Sequence, residues 1–111
     1  MDRLETQQKA VRELMQEWLD WVRPRRSYSV ELVVDEAKNR FILMSDGWMN
    51  HRRLYGPLID IGLKGGKVWV FEDNTEDGIT DELLAKGLRA DEIVIAWQPE
   101  YKRELTGFAV A

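Results

Sequence analysis

The apolar period changes from 3.6 to 2 at the joint Arg23-Pro24-Arg25-Arg26, and that change restricts the chain to a helix laid against a sheet. Before the joint, Leu4, Val11, Leu14, Met15, Trp18 and Val22 recur at helical spacing among Arg, Glu, Gln and Lys, which predicts one amphipathic helix over residues 2–22. Pro24 ends it, because proline removes a backbone donor and clashes with the preceding turn. The stripe finishes in Trp18 and Trp21, which face either the chain's own sheet or a second subunit. Beyond the joint, Tyr28, Val30, Leu32 and Val34 alternate, "EAKN" is turn-rich and "RFILMSDGW" extends again, predicting a β-hairpin over 27–48. Asp46-Gly47 reads as the next turn. "RRLYGPLIDIGL" is then extended up to a hairpin turn at Gly65-Gly66, and "KVWVFED" is a fourth strand.

Four strands joined by short turns imply an antiparallel meander with one face packed and the other partly wet. "GITDELLAKGL" follows as a short helix, capped at Thr75 and stopped at Gly87. "DEIVIAW" is a further strand, Pro99 a break and "EYKREL" a helical turn. The tail "LTGFAVA" is apolar where chain ends are commonly polar, so Phe108 and Val110 dock either on their own domain or in another chain's groove or sheet edge, own-domain docking being the favoured reading. The expected fold is α+β in a single domain, 1–111: N-terminal helix, meander of about four strands, short helix, further strand and docked C-terminal tail.

Few positions can carry chemistry. With no cysteine, thiolate nucleophiles, disulfides and cysteine zinc sites are excluded, which fits a reducing cytoplasm. His51 is the sole histidine and sits in a turn, so no site needing two imidazoles can form. The Glu-x-Lys at Glu36-Ala37-Lys38 falls in a hairpin turn with no Pro-Asp before it, against the order a magnesium nuclease needs. The stretch "FEDNTEDGITDEL" concentrates carboxylates, but Glu76 and Asp77 are expected in the first turn of the second helix, where unpaired N–H groups stabilise negative charge without catalysis. Its other reading is an acidic patch that meets a basic partner surface. No catalytic, metal or cofactor site is expected.

Two arginine clusters remain, Arg23 with Arg25 and Arg26, and Arg52 with Arg53. Guanidinium forks hold phosphates or carboxylates, although neighbours in a strand point to opposite faces. The net charge of −4 opposes autonomous DNA binding, which rests on neutralising phosphates. Five tryptophans in 111 residues suggest apolar surface beyond one small core and an oligomer such as a dimer. No run approaches the roughly 18 apolar residues of a membrane span, so a cytoplasmic location is expected. Arg52, Arg53, Glu76, Asp77 and Phe108 are the candidate partner-binding residues.

"GWMNHRRLYGPLIDIGLKGGKVWV", "DNTEDGITDELLAKGL" and the ending "TGFAVA", in that order, resemble the fdxN element excision controlling factor family, the XisI-like proteins. The likeness covers nearly the whole chain. It implies a non-enzymatic, cyanobacterial-type accessory protein of programmed DNA excision. The family's namesake is required, with a partner called XisH, for a site-specific recombinase to remove an element from the fdxN operon during heterocyst development. XisH-like partners resemble restriction-type nucleases, and this chain has no such site. An antitoxin-like or defence-related pairing with that partner, and direct DNA binding as a controlling factor, are the alternatives the resemblance leaves open.

Overall fold

A computed structural model describes residues 2–111. Helix α1 spans Arg3–Val22, and its N-cap is Asp2, whose carboxylate accepts the Glu5 N–H at 2.8 Å. The chain tightens through a 3-10 turn at Arg23–Arg25, with Pro24 inside it, and then extends. Strands β1 (Ser29–Asp35), β2 (Arg40–Met49), β3 (Arg52–Lys64) and β4 (Lys67–Asp73) form the expected antiparallel meander. Helix α2 (Thr80–Ala85) crosses over to β5 (Ile93–Ile95), reached through a 3-10 turn at Ala90–Glu92. A short α3 (Glu100–Arg103) precedes the tail. The sheet order is β1-β2-β3-β4-β5, and β5 pairs with β4 in parallel, making the sheet mixed. A parallel pair needs a crossover rather than a hairpin, and α2 supplies it.

One face of the sheet carries the core. Ala10, Val11, Leu14, Met15, Leu19 and Val22 of α1 are buried against Val30, Phe41, Leu43, Ile59, Ile61, Val68, Val70 and Ile93, with Ile79 and Leu83 beneath them. Each fully buried Leu, Ile or Val contributes about 1.5–3 kcal/mol, so the helix owes its place to this stripe and not to propensity alone.

Three expectations need correction. Asp46 and Gly47 do not turn: β2 runs on to Met49, and the reversal lies at Asn50 and His51, with φ of 49° and 66°. Gly47 is needed within the strand because a Cβ there would meet the Tyr28 Cβ at 2.5 Å. The second helix begins at Thr80, so Glu76 and Asp77 lie before it and Thr75 does not cap it. Finally, the apolar "IVI" strand is three residues long and runs parallel to its neighbour, instead of filling 91–97.

The tail docks on its own chain. Ala109 donates its N–H to the Ile93 carbonyl at 2.8 Å and forms a bridge beside Val94, while Phe108 packs against the core.

Candidate partner-binding surface

The acidic stretch is organised by Asp73, the last residue of β4. One of its carboxylate oxygens accepts the Thr75 N–H at 3.1 Å and the Thr75 hydroxyl at 2.5 Å; the other accepts the Ile79 N–H at 2.9 Å. This bend delivers the buried Ile79 to the core and aims the chain into α2. Gly78 permits it with a φ of 79°, a region that costs other residues strain. Glu76 and Asp77 are left exposed on the outside of the bend. Among the described residues no three His, Asp or Glu side chains converge as a metal site.

The β2–β3 hairpin extends beyond its neighbours. β1 ends at Ser29 opposite Asp46, and β4 ends at Asp73 opposite Ile59, so the outer pairs Gly47↔Leu54, Trp48↔Arg53 and Met49↔Arg52 form a two-stranded arm. On one side of the arm Arg53 lies between two rings, 5.6 Å from the Trp48 centroid and 4.8 Å from that of Tyr55, and donates to Asp46 at 2.5 Å. Trp48 is 64% exposed and Tyr55 66% exposed, although both are large aromatics. A guanidinium held between exposed rings is a common anchor in protein interfaces, where Trp, Tyr and Arg dominate the binding energy. Arg52 is exposed on the same arm, and its neighbour in sequence takes the opposite face, as strand geometry requires.

A hollow along this arm is lined by Arg25, Arg26, Ser27, Tyr28, Met49 and Leu54. Arg25 and Arg26 also lie over the Trp21 ring, at 4.7 and 5.6 Å, so this hollow adjoins a second groove formed by Glu17, Trp18, Trp21 and Glu82. Trp18 and Trp21 meet edge to face with centroids 5.7 Å apart. Trp18 packs partly against the core, whereas Trp21 is 46% exposed. The sequence-derived candidates are thus spread out: Arg52 and Arg53 on the arm, Glu76 and Asp77 on the bend, and Phe108 half-buried on its own core. The Asp46-Gly47 turn signal hides Trp48 and Tyr55, because it ends the strand before Trp48. A turn centred on Asn50 and His51 pairs Trp48 with Arg53 at once.

Residues 1–110 match the family described as XisI protein. The chain belongs to the XisI family. The crystal structure of the fdxN element excision controlling factor XisI from Anabaena variabilis ATCC 29413 is similar to it at 26% identity and a TM-score of 0.86, over 99% of this chain and 100% of that one. A XisI-like protein of the same organism is similar at 27% identity and a TM-score of 0.87, with the same coverage. No curated protein sequence matches the chain. The XisI fold is therefore the helix, mixed five-stranded sheet and short helices described above. Among the described residues no helix of this XisI-family chain is long and apolar enough to cross a membrane.

Proposed function

We propose that this XisI-family chain is a non-enzymatic regulatory protein that controls the excision of a DNA element through protein partners, an XisH-like protein and a site-specific recombinase. The observation that carries this reading is the arm, where Trp48, Arg53 and Tyr55 stand in solvent as a preformed cation–aromatic unit. An isolated two-stranded ribbon is marginal in water, and a partner that covers these rings would stabilise it. Arg52, Arg53, Glu76, Asp77 and Phe108 are the residues we assign to partner contacts, with Trp48 and Tyr55 added. The same surface would serve an antitoxin-like or defence-related pairing with a nuclease-like XisH protein.

A second reading, direct DNA contact, draws support from the sheet face away from α1. There Arg40 lies 4.5 Å from the Phe71 centroid and Lys64 4.1 Å from that of Trp69, a basic and aromatic combination suited to nucleic acid. Arg40 is already paired with Asp60 at 2.8 Å, and the net charge of −4 opposes retention on phosphates, so partner binding is preferred.

Co-expression of this chain with its neighbouring gene product, and purification through a tag on one of them, tests the proposal. Joint recovery supports it. Recovery of the tagged protein alone, together with salt-sensitive retention of the isolated chain on DNA, replaces it with the second reading.

A further inference from the structure

The groove between α1 and α2 lacks one chemical element. It is an open hollow of about 280 Å³ lined by Glu17, Trp18, Trp21 and Glu82. The Trp18 indole N–H donates to both Glu82 carboxylate oxygens, at 3.1 and 3.2 Å, and this fixes the carboxylate beside the rings. Among the described residues Glu82 has no ion-pair partner, since Lys86 turns instead to Glu17 at 2.7 Å and Glu13 at 3.8 Å. A partly desolvated carboxylate beside two indoles favours a cation, which gains from the ring faces and from the unpaired charge together.

The chain displays the matching group on the neighbouring surface. The Arg25 and Arg26 guanidiniums lie over Trp21 at 4.7 and 5.6 Å, Arg25 being held there by donating to the Trp21 carbonyl at 2.7 Å, and among the described residues neither pairs with Glu82. We propose that the groove seats an arginine side chain from a basic segment of a protein partner, with the guanidinium stacked on the indoles and paired to Glu82. Arginine fits better than lysine because its planar, weakly hydrated fork both stacks on aromatic rings and grips a carboxylate with two N–H groups. This rests on the reading that the chain works through protein partners, and it names the chemistry of one contact.

Burial raises the Glu82 carboxyl above its ordinary value. Glu17 and Asp73 add to the rise, and the Trp18 N–H and Lys86 oppose it. Seating a cation reverses that balance, so the site empties as pH falls and Glu82 takes up a proton.

The test uses the isolated full chain labelled with ¹⁵N, observing its indole N–H signals during titration with N-acetyl-arginine methylamide or with the neutral isostere N-acetyl-citrulline methylamide. The arginine probe is expected to shift Trp18 and Trp21 selectively, with affinity roughly in the millimolar range suited to a single side chain. Glu82→Gln keeps an oxygen for Trp18 but removes the charge, and should weaken binding about tenfold or more; Trp21→Ala should weaken it as well. Unmoved Trp48, Trp69 and Trp97 signals report that each variant is folded. An equal response to citrulline, a response confined to Trp48 or Trp97, or no response overturns the proposal. If a partner co-purifies equally well with Glu82→Gln, the groove proposal falls and the functional reading stands. If no partner is recovered while the arginine probe binds selectively, the functional reading falls and the cation site stands.

Discussion

Arg3, on the first turn of α1, and Glu92, just before β5, form a bidentate ion pair across 89 residues of sequence. Glu92 is only 4% exposed, and its carboxylate also accepts the Gln7 amide at 2.9 Å and the Arg89 backbone N–H at 2.7 Å. These bonds tie the first turns of α1 to the segment that leads into β5.

The pair makes stability depend on acid. Burial pushes the Glu92 carboxyl up, but the Arg3 guanidinium, the Arg89 N–H and the Gln7 amide outweigh it and hold it at about 2, below the ordinary 4.5. A depressed carboxyl stabilises the fold above its unfolded value and loses that contribution as pH falls through the folded one. The contribution is on the order of 3 kcal/mol, complete above pH about 4.5 and lost towards pH about 2. Urea unfolding midpoints measured from pH 7 downward should fall across this window in the wild type. Glu92→Gln should be less stable at neutral pH and show a flatter acid limb; parallel curves for the two proteins would contradict this assignment.

Asp73→Ala should destabilise the chain by about 2–3 kcal/mol, because it leaves the N–H of Thr75 and that of buried Ile79 without their acceptor. Glu76→Gln and Asp77→Asn, both on exposed residues, should change stability by less than about 0.5 kcal/mol. Equal losses at all three positions in denaturant melts would show that the acids act as one cluster.

His51→Gly should raise stability, by up to about 1 kcal/mol. Both residues of the Asn50-His51 turn have positive φ, and histidine bears a conformational cost there that glycine does not. Thermal unfolding is the check, and a lower melting temperature would mean that the imidazole makes contacts worth more than the strain.

Gly47→Ala should cost about 1–3 kcal/mol through collision with Tyr28, whose Cβ lies 2.5 Å and Cα 3.0 Å from the added methyl position. Adding Tyr28→Gly should leave part of that loss in place, since the Tyr28 Cα still crowds the site. Chemical denaturation of the single and double variants measures the coupling.

Much of this fold could be read from periodicity. The stripe from Val11 to Val22 and the alternation from Val30 to Val34 place α1 over the sheet, because burial of one face leaves little freedom in register. The turns were harder. Asp46-Gly47 carries the strongest local turn signal, yet its glycine answers a long-range contact with Tyr28, which no window of neighbouring residues contains. The acidic stretch hides its geometry for a similar reason: Asp73 accepts the Ile79 N–H from a strand end six residues away, a bond that the local Thr75-Glu76-Asp77 pattern does not announce. The parallel β5 and the Arg3–Glu92 bond depend on contacts distant in sequence and leave no local trace. Of the proposed surface, arginines and acids were visible as residue types, while the ring–cation arrangement of Trp48, Arg53 and Tyr55 needed the true hairpin register.

The proposed role of this XisI-family chain is to bind a protein through its arm. Light scattering on a sizing column, applied to the chain co-expressed with its neighbouring gene product, addresses it most directly. The wild type should give a single species at the summed mass of a complex. Trp48→Ala with Tyr55→Ala, at side chains that are exposed, should give two separate species at the masses of the parts. A wild-type mixture that elutes as two separate species, or a complex untouched by the loss of both rings, would contradict it.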